Sequence, residues 1–238
     1  MKLPYGLPAE CLDCHLRPDD CFCSLSEETL KALAQIKRTS VLPQGAVIFV
    51  EGQTSHGVFM LCEGQVKLST TSRHGKTLIM RIARQGEVLG LPAIVAGKPY
   101  QFTAEAIQPC RLNFVNAEDF LQFLKMHTDA SVHCTQQMSR NSKLAYDVLR
   151  SIGLSHSVSG RVARFLLDSA SDSPVRNGAV RAKLTLTHEE IGQLTGTCRE
   201  TISRTLATFR KKGIAELDGS TLIIHNKLAL ERLVGLEG

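Results

Sequence analysis

Long apolar runs are missing from this sequence: across 238 residues none approaches the roughly 20 consecutive apolar side chains that cross a bilayer. The first residues, Met1-Lys2-Leu3-Pro4-Tyr5-Gly6, carry one lysine but no apolar stretch of secretory-leader length. The expectation is a cytoplasmic protein without a membrane partner. The equipment of an enzyme is missing too. No nucleophile–base arrangement, glycine-rich phosphate loop or His-Glu-x-x-His motif occurs. His56, His74, His127, His133, His156 and His188 are scattered, and a solitary histidine is more often solvated or satisfied than a ligand. An enzyme is not expected.

Helix breakers are the next absence. From Asp119 the chain runs without proline or glycine until Gly153. Within that run Cys134, Met138, Asn141, Ala145, Val148 and Ile152 recur at alternating steps of 4 and 3, the spacing of a coiled-coil seam. Asn141 is its one polar position and could fix register between two copies. Residues 119–154 are expected to form a long helix through which a homodimer assembles; the competing reading is a helix packed on its own domain.

What is present fits two globular cores. Hydrophobic residues make up 43% and charged residues 21%, and the formal charge of +5 permits nucleic-acid binding without arguing for it. From Lys37 to about Val115, short β-rich runs alternate with glycine turns: Val47–Val50 before Gly52, Val58–Leu61 before Gly64, Val66–Thr70 before Gly75, Leu78–Ile82 before Gly86. That spacing predicts an antiparallel sandwich or barrel. After a Ser/Gly stretch at Ser155–Gly160, read as a hinge, comes a helix around Val162, Phe165 and Leu166, then a short strand at Lys183–Leu186. Two capping boxes follow in close succession, Thr187-His188-Glu189-Glu190 and Thr197-Cys198-Arg199-Glu200, with the turn Thr195-Gly196 between them. Such a pair predicts a helix-turn-helix whose second helix runs from about Cys198 to Lys212. Ile202, Leu206 and Phe209 are its buried stripe, and Gly213 stops it. Ala215–Ile224 with the turn Asp218-Gly219 predicts a hairpin wing, and Lys227–Val234 a final helix.

The run from Leu184 to Leu206, with the core Arg199-Glu200-Thr201-Ile202-Ser203-Arg204, resembles the winged helix-turn-helix of the Crp/Fnr superfamily of transcription regulators. The glycine-punctuated strands and the long central helix match the rest of that architecture, and the likeness covers nearly the whole chain. It implies an α+β fold. A Cys-rich segment (1–24) would precede a cyclic-nucleotide-binding-like β-roll (25–118), a dimerisation helix (119–154) and a winged helix-turn-helix (155–238). It implies a DNA-binding transcription regulator that meets RNA polymerase and reads palindromic TGA/TCA-type half-sites. In a helix-turn-helix the start of the second helix enters the major groove. There arginine donates to guanine and glutamate accepts from cytosine. The candidate DNA contacts are Thr197, Arg199, Glu200, Ser203, Arg204, Thr208 and Lys211. Arg199 and Ser203 each match a different branch of the family, so site preference is assigned to neither.

For the input, receptor-type members hold cyclic AMP with a Gly-Glu-Leu turn and an Arg-Ser pair. Here the corresponding stretches are Gly90-Leu91-Pro92-Ala93 and Tyr100-Gln101-Phe102-Thr103, and no arginine lies between Arg84 and Arg111. A phosphate buried without a cation is costly, so cyclic AMP is not expected. Eight cysteines are many for a chain in a reducing compartment. Cys11, Cys14, Cys21 and Cys23 cluster near the start. With Cys110 they resemble the ligand set of the fumarate-nitrate regulator branch. The resemblance implies a [4Fe-4S] cluster on Cys11, Cys14, one of Cys21 and Cys23, and Cys110, and hence oxygen sensing. The gap after Cys14 is longer than that branch uses. A thiol switch, a zinc site and an inert extension remain open on the same residues. Cys62, Cys134 and Cys198 are read as packing.

Overall fold

The computed structural model describes residues 11, 12, 14, 21–154, 157–171, 173–176 and 179–235. Two compact units divide the chain inside its longest helix. One holds residues up to 76 and 80–144, the other residues 77–79 and those from 145 onward.

The first unit opens with α1 (Glu27–Ile36), which the sequence reading passed over. Ser26 caps it by accepting from the Thr29 amide, Glu27 and Glu28 favour its positive end, and Leu30 and Leu33 form its buried stripe. The strands follow: β1 (Arg38–Leu42), β2 (Val47–Phe49), β3 (Gly57–Glu63), β4 (Val66–Thr71), β5 (Thr77–Ala83) and β6 (Val88–Leu89). A short helix α2 (Leu91–Ala96) precedes β7 (Thr103–Ala106) and β8 (Cys110–Asn116). They pair into two four-stranded sheets, ordered β1-β8-β3-β6 and β2-β7-β4-β5. Between the sheets lies one core, with Phe49, Leu61, Leu68, Tyr100, Cys110 and Leu112. A second core lies on the outer face of the first sheet, where Val58, Met60, Val88 and Val115 meet Phe22, Leu33, Phe120, Ala130 and Cys134. Strand alternation makes this division. On β3, Leu61 faces inward while Val58 and Met60 face outward, and on β8 Cys110 and Leu112 face inward while Val115 faces outward.

The single helix expected over 119–154 is two helices, α3 (Ala117–Met126) and α4 (Thr128–Leu154), separated at His127. His127 takes an extended conformation (φ −123°, ψ 100°). Asp129, just inside α4, accepts from the Ser26 amide and the Thr29 hydroxyl, both at 3.0 Å. Its carboxyl is held below the ordinary value because those donors, with the Ala130 amide, outweigh the cost of burial. A chain lacking proline and glycine gave no notice of this break.

The second unit contains α5 (Val158–Ser169), β9 (Val175–Arg176), β10 (Ala179–Lys183), α6 (His188–Thr195), α7 (Arg199–Lys211), β11 (Ala215–Asp218), β12 (Thr221–Ile224) and α8 (Lys227–Val234). Of the expected hinge at 155–160, the part from 157 onward belongs to a helix, with Ser157 capping α5 and Val158 already helical, and residues 155 and 156 lie outside the described residues. The expected strand at Lys183–Leu186 lies a few residues earlier, as β10, in a sheet ordered β11-β12-β10-β9. Val162, Leu166, Ile191, Ile202, Leu206, Phe209, Leu222 and Leu230 make one core beneath it.

Candidate nucleic-acid interface

The helix-turn-helix is built as its residue types demand. Thr187 and Glu190 form a complete capping box on α6, and Gly196 ends it in the left-handed region at φ 69°. Gly192 is required for a different reason. A Cβ there would stand 2.9 Å from the Thr197 carbonyl oxygen, so only glycine lets the turn pass this close to α6. Arg161 donates Nε to the Thr195 carbonyl at 2.8 Å, fastening the end of α6 to α5.

On α7 the stripe Ile202, Leu206 and Phe209 is buried. Arg199, Glu200, Arg204, Thr208 and Lys211 are exposed, and Thr197 and Ser203 are half-buried. The second capping box is not formed. Cys198, not Thr197, is the N-cap, and it makes no side-chain cap bond. Glu200 thereby sits one position earlier than a box needs, and its carboxylate is left for other partners. It is held below the ordinary carboxylate value by its own backbone N–H and the Cys198 thiol, with Arg199 and Arg204 adding attraction. Ser203 is committed rather than free: its hydroxyl lies 2.9 Å from His188 Nδ1, tying α7 to the start of α6. Thr208 likewise donates to the Arg204 carbonyl at 2.9 Å. Arg210 pairs with Glu216 of β11 at 3.3 Å, bracing the wing. Sequence reasoning missed His188 and Arg210; the i, i+15 pairing of His188 with Ser203 has no local signal.

The expected dimer seam divides in two. Cys134 is buried in the outer core and Met138 packs against it, so this end of α4 is satisfied within its own unit. The competing reading, a helix packed on its own domain, holds there. Gln137, 2% exposed, accepts from the Val88 amide and donates to the Val88 carbonyl, both at 2.8 Å. Beyond it Asn141 is half-buried and Ala145 exposed, with Leu144 and Leu149 exposed beside the seam. The side chains of Val148 and Ile152 lie outside the described residues.

The cysteines separate according to strand face. Cys110 points into the roll interior, where its thiol donates to the Gln108 and Gln65 carbonyls at 3.1 and 3.3 Å. It lies tight beneath Gly64, whose hypothetical Cβ would stand 2.6 Å from the Cys110 sulfur. Cys11 and Cys23 pack on the opposite, outer core. Cys110 is therefore not brought to them, which corrects its expected place in the ligand set. Cys62, expected to be packing, is brought to them. Asn113 Nδ2 lies 3.1 Å from the Cys62 sulfur and 3.8 Å from that of Cys11. Cys21 is lowered to about 6, chiefly by a hydrogen bond from Cys23. Cys23 is pushed well up by the same contact, by burial and by Cys21, Cys62 and Cys11. Burial pushes Cys62 up to about 11 against the pull of Arg111. Among the described residues no group of three or more His, Cys, Asp or Glu is placed so that it could hold a metal ion.

At the stretch aligned with a cyclic-nucleotide phosphate site, Leu91 is fully buried in the outer core. The Tyr100 ring stacks on Phe49 at 4.0 Å, and its hydroxyl donates to the Gly57 carbonyl at 2.8 Å.

Comparison with known proteins agrees with both units. The cyclic nucleotide-binding domain model matches residues 39–127, and the Crp-like helix-turn-helix domain model matches residues 160–233. A CRP-like cAMP-activated global transcriptional regulator of Mycobacterium tuberculosis is 25% identical over 89% of this chain and 94% of its own length. A global nitrogen regulator of Synechocystis is 29% identical over 78% of this chain and 83% of its own. The solved structure of FixK2 from Bradyrhizobium japonicum superposes with a TM-score of 0.72, at 22% identity, covering 83% of this chain and 97% of that one. The curated relatives are transcription regulators rather than enzymes. With a cyclic-nucleotide-binding roll followed by a Crp-like helix-turn-helix, the chain belongs to the Crp/Fnr family of DNA-binding transcription regulators.

Proposed function

We propose that this regulator works as a homodimer on palindromic duplex DNA with TGA/TCA-type half-sites, and that its N-terminal thiols carry its input. The observation that supports the DNA reading most is the face of α7. Arg199, Glu200 and Arg204 stand exposed on its first turns while Ile202, Leu206 and Phe209 anchor the other side. These three supply donors for guanine and an acceptor for cytosine. Lys211, two turns on and exposed, suits a phosphate. Thr197, Ser203 and Thr208 have secondary parts, because Ser203 and Thr208 already spend hydroxyl bonds inside the protein. Two recognition helices related by a two-fold axis require half-sites about one helical turn apart. The exposed Leu144 and Leu149 beside the seam support pairing through α4 from Asn141 onward. RNA polymerase as a further partner, and a cytoplasmic location, follow from the family role.

Cyclic AMP, named for the mycobacterial relative, suits this roll poorly. Leucine stands where a ribose-binding glutamate would, and Tyr100 packs into the core where a phosphate would need arginine. A [4Fe-4S] cluster on Cys11, Cys14, Cys21 or Cys23, and Cys110 does not fit either, since Cys110 faces the other side of its sheet. A thiol-borne input resting on the remaining cysteines stands without it.

Binding to a panel of duplexes tests the DNA reading. Arg204→Ala should cost about 1–3 kcal/mol and relax base choice at one position. Lys211→Ala should weaken all sequences alike and lower the salt slope by about 1. Identical sequence profiles for wild type and Arg204→Ala would refute base reading. Operator binding measured under argon and again after air tests the input: an unchanged affinity means that the cysteines are not the sensor.

A further inference from the structure

The hydroxyls of α7 keep to their own helix, with one departure. Thr205 and Thr208 donate to the carbonyls one turn back, those of Thr201 and Arg204, at 2.8 and 2.9 Å. The Thr201 hydroxyl lies 3.2 Å from the Cys198 sulfur, in the turn that starts the helix. Ser203 instead reaches across to His188 Nδ1 at 2.9 Å, fifteen residues earlier, at the first position of α6. Both side chains are half-buried, and they line one recess with Arg210, Lys211 and Glu216. His188 has no part in the capping box of α6, which Thr187 and Glu190 complete by themselves. The helix is thus capped without it, and the bond to Ser203 calls for another reason.

Ser203 stands one turn beyond Arg199 and next to Arg204, on the part of α7 that meets the groove. A serine hydroxyl has one proton to give and two lone pairs. Turning freely, it serves base donors and base acceptors alike. The histidine bond uses one of those capacities and fixes the direction of the rest. Where Nδ1 accepts, Oγ is left with lone pairs only; where Nδ1 donates, the hydroxyl proton is left to point outward. Either way Ser203 shows the groove one polarity instead of two.

We infer that His188 is a positioning residue for base choice: it holds the Ser203 hydroxyl in a single hydrogen-bonding sense and so turns a tolerant contact into a discriminating one. It acts through Ser203 and reads no base itself. Its effect falls on which sequence is bound rather than on how tightly DNA at large is held. The inference rests on the reading of α7 as the base-contacting helix.

The test uses the full chain and duplexes with TGA/TCA-type half-sites in which each base pair of one half-site is varied in turn. Asparagine at 188 sets an amide where Nδ1 stands, glutamine sets it near the place of Nε2, and alanine removes both. Ser203→Ala should flatten discrimination at one base pair by about 3- to 10-fold, the worth of a single hydrogen bond. His188→Ala and His188→Gln should flatten that same base pair to the same extent. The double variant of His188→Ala and Ser203→Ala should lose no more than either alone, since the two act as one unit. His188→Asn should keep the wild-type preference. Thermal unfolding shows which variants are folded; should His188→Ala fail to fold, His188→Gln and His188→Asn carry the comparison. Weakening of all sequences alike by His188→Gln, flattening at a different base pair, or a His188→Asn profile as flat as that of Ser203→Ala overturns the inference. Arg204→Ala separates the two levels. If it alters the profile while the His188 variants do not, the positioning role fails and base reading by α7 stands; if none of them alters it, both fail.

Discussion

Replacing Gln137 with leucine probes how the long helix is fastened to the roll. Strand β6 is the edge of its sheet, paired only with β3, so one side of its backbone has no strand neighbour. The Gln137 amide takes that place, bonding both the N–H and the C=O of Val88 at 2.8 Å. At 2% exposure, water cannot replace it. Leucine has nearly the same volume and makes neither bond. Each orphaned backbone group costs about 1–3 kcal/mol, and the leucine methyls return part of that by their own burial. The net loss should be about 1–4 kcal/mol. Urea unfolding followed by circular dichroism gives the stability change, and hydrogen exchange on the peptide spanning Val88 gives its location. A loss below about 0.5 kcal/mol, within the range of neutral surface changes, would refute the latch. So would unchanged protection of the Val88 amide.

Other expectations follow from the same packing. Gly192→Ala should destabilise the helix-turn-helix and reduce binding to every DNA sequence alike, because its Cβ meets the Thr197 carbonyl at 2.9 Å; calorimetry of the variant showing no loss would contradict the close approach. Burial pushes Cys134 up to about 12, well above the ordinary thiol value, so the folded chain keeps a proton that the unfolded chain sheds. Its contribution is therefore complete below the unfolded value and declines as pH rises from there toward 12; Cys134→Ala should flatten the alkaline limb of stability, and an unaltered limb would count against that burial. Brief alkylation at pH 8 followed by peptide mass spectrometry should modify the exposed Cys198 and spare Cys134 and Cys110. Leu149→Glu sets a charge beside the proposed seam and should shift sedimentation toward monomer without unfolding either unit, whereas a dimer of wild-type strength would move the interface elsewhere.

Elements whose causes are local were legible in the sequence. The turns at Gly52, Gly64, Gly75 and Gly86 require positive φ, and each separates strands where the residue pattern placed them. Thr187 and Glu190 cap α6 because the box needs only its own four residues. The second box failed on a one-residue shift, since Cys198 took the cap position that Thr197 seemed to hold. The break at His127 was invisible because Ser26 and Thr29, about a hundred residues earlier, help to set it through Asp129. The first turns of the seam were misjudged for a related reason. Periodicity identifies an apolar face on α4 but not what covers it, and around Cys134 the cover is the protein's own outer core. The contact between Cys62 and Asn113 left no mark in the sequence, because the two residues stand 51 positions apart.

Strand β8 carries Cys110 and Leu112 on one side of a sheet and Asn113 on the other. Which side chains of β8 meet the outer core is thus a question of odd and even. Moving the strand by a single residue would exchange its two faces, turning Cys110 outward and Asn113 into the roll. A one-residue insertion or deletion before β8 would set the Cys110 thiol against the outer core and leave the Asn113 amide to be satisfied inside the roll. The length of the Gln108-Pro109 turn thus decides which face of the sheet Cys110 serves, as much as its place in the sequence does.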